Sequence, residues 1–195
     1  MPRTYSYSAD FDTETEELFK NATFLGEGHN GIVYSLPGGK AVKIFKENKC
    51  CKEEGEILKK VNKSKYFPRV YRTGKFYIVR DEVEGKRLDH YIKKNGLNYE
   101  ISQGLYQMVE EFNRLKFTKL DARCRDIYVG KSTRIMVIDP KQCYSRKVSF
   151  PRHLMKGLEK LGVLESFIED IRIIDKKTAR EWEKRYNQWL QQNNV

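Results

Sequence analysis

Apolar and polar positions alternate through the first third of the chain in the manner of short β-strands. The segment TFLGEGHNGIVYSLPGGKAVKIFK predicts two strands around a tight loop, a turn at Pro37-Gly38-Gly39, and a third strand. A further strand is predicted at KFYIV, residues 75–79. Between these segments, residues 53–61 place their apolar side chains on one helical face. This part of the chain therefore predicts an antiparallel sheet with one helix.

From Leu88 onward, the apolar positions recur at helical spacing instead. A short helix is predicted to end at Asn95-Gly96, because both residues tolerate the left-handed conformation found at helix ends. Asn98 is placed to cap a longer helix whose apolar residues continue to Leu115. The remaining predicted elements are a hairpin of residues 127–129 and 135–138, and helices near residues 152–170 and 178–191. A β-rich first part followed by an α-rich second part predicts an α+β fold.

Composition places these elements in a folded protein. The chain has 195 residues, which suits one domain, or one domain folded as two small lobes. Its 10 Phe, 12 Tyr and 2 Trp exclude a disordered polyelectrolyte, although 33% of the residues are charged. Lys and Arg number 38 against 27 Asp and Glu, which gives a net charge of +11. This excess suits a phosphate-bearing partner, and solvated surface lysines alone also account for it.

The sequence carries no signature of a membrane segment or a zinc site. No apolar run reaches the roughly 18 to 20 residues that cross a bilayer, and the amino-terminal segment lacks the apolar core of a signal peptide. We therefore expect a cytoplasmic protein without a membrane partner. The four cysteines form no C-x-x-C pair and the three histidines are scattered, so we expect reduced thiols and no zinc.

A glycine-rich motif lies between the first two predicted strands. Its residues are Gly26, Glu27, Gly28, His29, Asn30 and Gly31, which form a G-x-G-x-x-G pattern. A dinucleotide fingerprint would be followed by a helix, whereas this motif is followed by strand-like residues 32–34. The remaining interpretation is a glycine-rich hairpin whose backbone amides can approach the phosphates of a nucleotide.

Lys43 is the one charged residue in the apolar run of the third strand, AVKIF. An edge-strand lysine that points to water is one interpretation. The other is a lysine on a half-apolar face, which needs an anionic partner to offset its desolvation. Glu54 is the best candidate, since it shares a helical face with Leu58, while Glu53 and Glu56 remain open.

The segments GEGHNGIVY and AVKIF together resemble the glycine-rich loop and third-strand lysine of the protein-kinase fold, with Val33 at the motif valine. The resemblance extends over roughly residues 20–145 and implies a bilobal fold. Residues 1–80 would form the N-lobe, 81–85 the hinge, and 86–195 a reduced C-lobe of a single kinase-like domain. The residues that the resemblance implies for ATP binding are Leu25, Gly26, Glu27, Gly28, His29, Asn30, Gly31, Val33, Ala41, Lys43, Glu54, Asp81 and Val83.

Three aspartates in the basic segment after the long helix match the order of the kinase catalytic residues. Asp126 lies five positions after Asp121, and Asp139 ends an apolar run beyond the predicted hairpin. The resemblance implies that Asp121 orients the acceptor hydroxyl and takes its proton, and that Asp126 and Asp139 hold Mg²⁺, with Mn²⁺ as an alternative. The competing interpretation is that these carboxylates only balance the charge of a basic segment.

The chain departs from the kinase pattern at several places. Lys119 and Leu120 replace the usual His-Arg before the catalytic aspartate, Asp126 replaces an asparagine, and Pro140-Lys141 replace Phe-Gly. No A-P-E motif is present, and few residues follow Asp139. The resemblance is therefore to a small, atypical serine/threonine protein kinase of bacterial type, or to the RIO-like and sugar-kinase-like branches. Constitutive activity is the matching hypothesis.

The predicted function is transfer of phosphate from ATP to a hydroxyl, with serine or threonine of a protein, including an acidic one, as the first choice of acceptor. Tyr144, Ser145 and Ser149 are candidate autophosphorylation sites. A small-molecule kinase and a non-catalytic pseudokinase are the alternatives. Nucleic-acid binding through the basic segment ranks lower as a primary function, because no recognition module is present. The aromatic face of the last helix predicts core packing or a dimer interface, which leaves monomer and dimer open.

Overall fold

The structure is a computed structural model that describes residues 9–193. These residues form a mixed α+β fold in which an antiparallel sheet is followed by helices, which confirms the fold class at this level. They divide into two compact units, and the division falls in the chain between Val83 and Glu84. In this part of the chain no helix combines the length and the apolar character that crossing a bilayer requires.

The first unit is built on a five-stranded antiparallel sheet. Its strands are β1 (Thr23–Gly28), β2 (Gly31–Leu36), β3 (Lys40–Phe45), β4 (Val70–Thr73) and β5 (Tyr77–Asp81). They lie in the order β1-β2-β3-β5-β4, so β3 occupies the centre of the sheet. The three strands predicted around the two tight turns are confirmed. The predicted strand at residues 75–79 instead covers Tyr77–Asp81, and β4 was not predicted.

Two helices complete the described part of the first unit, α1 (Thr13–Phe19) and α2 (Asn48–Lys60). The helix that was predicted at residues 53–61 begins earlier, at Asn48. The prediction missed its first turn because that turn carries no apolar period. Helix α1 was not predicted, since its seven residues contain only two apolar side chains. The Asp12 carboxylate caps α1 by accepting a hydrogen bond from the amide of Thr15 at 2.8 Å. Residues that flank α1 pack against the buried face of the sheet.

The second unit combines a small antiparallel sheet with helices. The strands β6 (Lys86–Arg87), β7 (Ile127–Val129) and β8 (Ile135–Val137) lie in that order, and β7 and β8 form the predicted hairpin. The helices are α3 (Leu88–Asn95), α4 (Tyr99–Arg114), α5 (Arg152–Lys160), α6 (Leu164–Ile174) and α7 (Lys176–Gln192). The core of this unit is formed by buried apolar residues of these helices and of the hairpin.

The ends of the helices in the second unit follow side-chain and glycine signals. The predicted end of α3 at Asn95 and the predicted cap of α4 by Asn98 are confirmed, and the Asn98 side chain accepts from the amide of Ile101. The prediction of one helix near residues 152–170 is wrong, since α5 ends at Lys160 and α6 begins at Leu164. The cause is Gly162, whose φ of 72° turns the chain out of the helix and lets Val163 donate back to the carbonyl of Leu158.

The face of α7 that carries its aromatic residues is partly buried. Trp182 and Tyr186 are buried, and Trp189 is half-buried. Trp182 stacks on Phe167 of α6, and the hydroxyl of Tyr186 donates to the Glu159 carboxylate at 2.8 Å. Core packing therefore accounts for the first half of this face. A dimer interface formed by the other half stays a prediction.

Candidate active site

The glycine-rich motif forms the hairpin between β1 and β2. Gly28 pairs with Gly31, and His29 and Asn30 form the turn. A Cβ atom added at Gly26 or Gly28 would meet nothing within 4 Å, whereas a Cβ at Gly31 would lie 2.0 Å from the backbone oxygen of Ile44. Gly31 is thus required by the packing of β2 on β3. The other two glycines leave open space over the hairpin, which a ligand can approach.

This difference gives the first prediction. We expect Gly31→Ala to lower the free energy of unfolding by about 1–3 kcal/mol, because its methyl group would collide with backbone. Gly28→Ala is the matched control on the same hairpin. It should leave the free energy of unfolding unchanged within about 0.5 kcal/mol while weakening ATP binding. Urea unfolding and isothermal titration with ATP measure the two effects. Equal losses of stability in the two variants would contradict this description of the hairpin.

Residues beside the hairpin that were predicted to contact the nucleotide lie on β1, β2 and β3. Leu25 is exposed at an irregularity of β1, and Glu27 pairs with Lys46 at 3.1 Å. Val33 is the register partner of Lys43, and Ala41 is buried on β3 two residues before it. The sheet register therefore groups the predicted ATP-binding residues of these strands on neighbouring positions.

Lys43 and Glu54 form an ion pair within the first unit. The Lys43 Nζ atom lies 2.6 Å from Glu54 Oε2, and the side chains are 12% and 3% exposed. Helix α2 brings Glu54 to the sheet because Glu54 lies on its buried face with Leu58, whereas Glu53 and Glu56 are exposed. The structure thus brings Lys43 together with the glutamate that the sequence favoured. Two charges taken out of water in this way stabilise the fold only as long as both are present.

This ion pair gives the second prediction. We expect Glu54→Gln to lower the free energy of unfolding by about 3 kcal/mol, because it leaves the ammonium of Lys43 buried without its counter-charge. Adding Lys43→Met to this variant should restore part of the loss, since the unbalanced charge is then removed. Urea unfolding of wild type, both single variants and the double variant measures the coupling. A Glu54→Gln variant as stable as wild type would contradict the burial of the pair.

The predicted hinge residues of the first unit, Asp81 and Val83, differ in how their backbone is used. The Asp81 amide donates to the carbonyl of Arg69 at 2.9 Å, and the Asp81 carbonyl accepts from the Arg80 side chain. Within residues 9–193, no backbone hydrogen bond involves Val83. Of the two positions, Val83 is the one whose amide and carbonyl have no backbone partner within residues 9–193.

The β7–β8 hairpin brings Asp126 and Asp139 together in the second unit. Asp126 immediately precedes β7, and its carbonyl accepts from the amide of Ile138 at 3.0 Å. Burial, followed by the negative charge of Asp139, raises the pKa of Asp126. Asp139 Oδ2 pairs with Lys141 at 2.9 Å, while the buried Asp139 Oδ1 has no hydrogen-bond partner. The result is a pair of mutually repelling carboxylates with one orphaned oxygen.

These two residues fit a Mg²⁺ ion. Within residues 9–193, no group of three or more His, Cys, Asp or Glu side chains is arranged to hold a metal. Mg²⁺ in nucleotide sites is commonly bound by one or two carboxylates, with phosphate oxygens and water as the other ligands. A pair of carboxylates with an unpartnered buried oxygen provides that donor set, and a divalent cation would relieve its repulsion.

Asp121 occupies a different environment from the other two aspartates. Its side chain is fully buried, and Oδ1 accepts from the amides of His153 at 3.0 Å and Leu154 at 3.3 Å. The His153 ring forms a further hydrogen bond through Nδ1, which donates to Oδ2 at 2.5 Å. The carboxylate thus fixes the first turn of α5 and the orientation of the His153 ring. His153 is 30% exposed and is the member of the pair that solvent reaches.

Asp121 and Asp126 nevertheless both lie near the buried Cys124 thiol, and Asp139 lies near Asp126. Burial raises the pKa of the Cys124 thiol to about 12, and smaller contributions come from the charges of Asp89, Asp121 and Asp126. Sequence reasoning missed His153, because it lies 32 residues from Asp121 and carries no motif. No signal in the sequence singles it out.

The hydroxyls proposed for autophosphorylation lie beyond Asp139. Tyr144, Ser145 and Ser149 are all exposed. The Tyr144 ring packs edge-on against Phe117 with a centroid distance of 5.0 Å, and partial burial raises the pKa of its hydroxyl. Of the three hydroxyls, those of the two serines are thus the less constrained.

Comparison with known proteins finds a distant similarity to a protein that is named as a kinase. No protein-family profile matches the chain. A Bacillus subtilis (strain 168) protein named "Putative serine/threonine-protein kinase YrzF" is 26% identical to it over 144 residues. The match covers 69% of this chain and 65% of the relative, so the chain spans less than two thirds of the relative's length. The similarity supports a kinase-like function weakly, and the antiparallel sheet followed by helices is compatible with a kinase-like fold.

Proposed function

We propose that this protein transfers the γ-phosphoryl group of ATP to a hydroxyl acceptor in a Mg²⁺-dependent reaction, and that the acceptor is a serine or threonine of a protein. The observation that carries the proposal is the buried oxygen of Asp139, which lacks a hydrogen-bond partner; Asp139 follows the β7–β8 hairpin and Asp126 precedes it. Two repelling carboxylates do not stabilise a fold by themselves, whereas they suit a divalent cation with bound phosphates. The relative named as a kinase supports the same class of reaction.

In this proposal the nucleotide is held by residues of the first unit. Residues 1–80 act as an N-lobe, residues 81–85 as a hinge and residues 86–195 as a reduced C-lobe. The open side of the glycine hairpin lets its amides approach the phosphates, and Lys43, held by Glu54, supplies a positive charge to them. The backbone at Val83 provides a donor and an acceptor for adenine.

The metal and the acceptor are assigned to the second unit. Asp126 and Asp139 would hold Mg²⁺, with Mn²⁺ as the alternative, and the ion supplies charge stabilisation to the transferring phosphoryl group. Asp121 and His153 serve the acceptor together. Asp121 provides the negative charge and orients the ring, and His153 is the exposed group that an acceptor hydroxyl meets first.

The segment after Asp139 supports a catalytic centre without a mobile switch. The Lys119 ammonium donates to the carbonyl of Lys141 at 3.0 Å. The amide of Thr118 donates to the carbonyl of Cys143, and the amide of Val148 donates back to Thr118. These bonds fasten the segment to the residues that precede Asp121. Activity of this protein is therefore proposed not to require prior phosphorylation.

A second candidate is a nucleotide-binding protein without transfer activity. The complete burial of the Asp121 side chain favours it, since a carboxylate that only caps α5 needs no access to substrate. The two candidates differ in turnover and not in nucleotide binding.

The experiment that separates them measures ADP formation by the purified protein with Mg²⁺ and ATP. It is run with a generic basic protein, an acidic protein and a set of small hydroxyl compounds as acceptors, before and after phosphatase treatment. We expect turnover with a protein acceptor at equal rates in both preparations. ATP binding without ADP formation would establish the second candidate, and turnover with small compounds alone would move the acceptor to that class.

A further inference from the structure

A shallow basic pocket of about 470 Å³ lies in the second unit. It is lined by Gly85, Lys86, Arg87, His90, Lys94 and Tyr128. None of these side chains is acidic, and three of them are lysine or arginine. Such a pocket selects negatively charged groups.

The local structure explains why these charges gather. Strand β6 leads directly into α3, on which His90 and Lys94 are four residues apart and so lie on one face. Arg87 is the register partner of Tyr128 on β7. At Gly85 an added Cβ would lie 2.2 Å from the Val129 carbonyl oxygen, so this part of the pocket wall is bare backbone.

The cations of the pocket are unequally neutralised. The Arg87 guanidinium pairs with the Asp89 carboxylate at 2.6 Å and 3.1 Å. Within residues 9–193, Lys86 and Lys94 form no ion pair, and both are exposed. Two ammonium groups therefore remain for an external anion.

The pocket lies near Asp126, one of the two carboxylates of the proposed metal site. Tyr128 lies on β7, two residues after Asp126, which immediately precedes that strand. The hydrogen bond with Asp89 raises the pKa of Arg87, and the charge of Asp126 contributes to the same shift. Arg87 is thus within electrostatic reach of Asp126, and both belong to the second unit.

From this geometry we infer that the pocket binds aspartate or glutamate side chains of the protein substrate, next to the hydroxyl that receives phosphate. The inference rests on the proposed function and narrows its substrate to acidic sequences. Two free ammonium groups beside one aromatic ring match one or two carboxylates of a peptide. A nucleic acid would need cations spaced along a longer track.

The test compares two serine peptides that differ only in having glutamates or glutamines around the serine. Their binding is measured by fluorescence anisotropy without ATP, so the result does not depend on catalysis. We expect the wild-type protein to bind the glutamate peptide more tightly, and the Lys86→Gln/Lys94→Gln variant to weaken that binding about fivefold to tenfold. Binding of the glutamine peptide should not change.

The matched control is Lys93→Gln/Lys160→Gln, which removes the same charge from exposed positions of the second unit outside the pocket. It should keep the preference for glutamates. Equal binding of both peptides by wild type, or an equal loss in the control variant, would overturn the inference. A DNA duplex whose binding falls in the pocket variant, while neither peptide is preferred, would assign the pocket to nucleic acid instead.

A kinetic arm separates this inference from the proposed function. If phosphate is transferred, the pocket variant should raise KM for the glutamate peptide and leave kcat unchanged. If the wild-type protein transfers no phosphate to any acceptor yet keeps the peptide preference, the proposed function fails and the pocket assignment stands.

Discussion

Replacing Asp139 with asparagine is expected to reduce phosphoryl transfer about 1,000-fold. The reason is that Asp139 provides a buried oxygen without a partner and half of the negative charge of the proposed metal site. Charge stabilisation by a bound metal contributes several kcal/mol to such reactions, and each 1.36 kcal/mol corresponds to a factor of ten in rate. The variant should fold as stably as wild type or more so, because the substitution removes repulsion with Asp126.

The measurement is the rate of ADP formation at saturating Mg²⁺, together with urea unfolding. Asp170→Asn, on α6 of the same unit and without a proposed role, is the control and should keep the wild-type rate. An Asp139→Asn variant with full activity would contradict the proposed metal site. Loss of stability together with activity would show that Asp139 acts on the fold.

Replacing Asp121 with asparagine is expected to lower kcat by roughly 100-fold to 10,000-fold while ATP binding is retained. Asparagine keeps the volume, and its oxygen can still accept from the amides of His153 and Leu154. It lacks the negative charge that, in the proposed function, orients the His153 ring to take a proton from the acceptor hydroxyl. The effect should therefore appear in kcat and leave the dissociation constant of ATP unchanged.

The control for a purely structural role is Asp175→Asn. Like Asp121, Asp175 caps a helix, because its carboxylate accepts hydrogen bonds from the amides of Lys177 and Thr178. The same carboxylate also accepts a hydrogen bond from the hydroxyl of Tyr106. It should alter stability in the same way as Asp121→Asn and leave kcat unchanged. Equal kcat values for Asp121→Asn and wild type would establish that Asp121 only holds α5 in place.

Patterns in the sequence were sufficient where local periodicity decided the structure. The alternation around Gly31 and Lys43 predicted β1 to β3, and the spacing of Ile57 and Leu58 predicted the face of α2 that carries Glu54. The end of α3 and the start of α4 were predictable because Gly96 and Asn98 act within one turn. By contrast, α1 has too few apolar residues to show a period. Gly162 divided a helix that the apolar pattern continued through.

The candidate site was predictable to a smaller extent. The hairpin that joins Asp126 to Asp139 is local, so its two strands could be read from two short apolar runs. The contact of Asp121 with His153 depends on how α5 packs in the second unit, and residues 32 positions apart leave no periodic trace. The basic pocket likewise depends on the pairing of β6 with β7, and β6 is only two residues long.

The most direct test of the central claim is mass spectrometry of the purified protein and an acceptor protein after incubation with Mg²⁺ and ATP whose γ-phosphate carries heavy oxygen. The account predicts serine or threonine phosphate with the heavy label, which disappears with EDTA and with the Asp139→Asn and Lys43→Met variants. Absence of labelled phosphate on any hydroxyl, with wild-type protein that is folded and binds ATP, would contradict it.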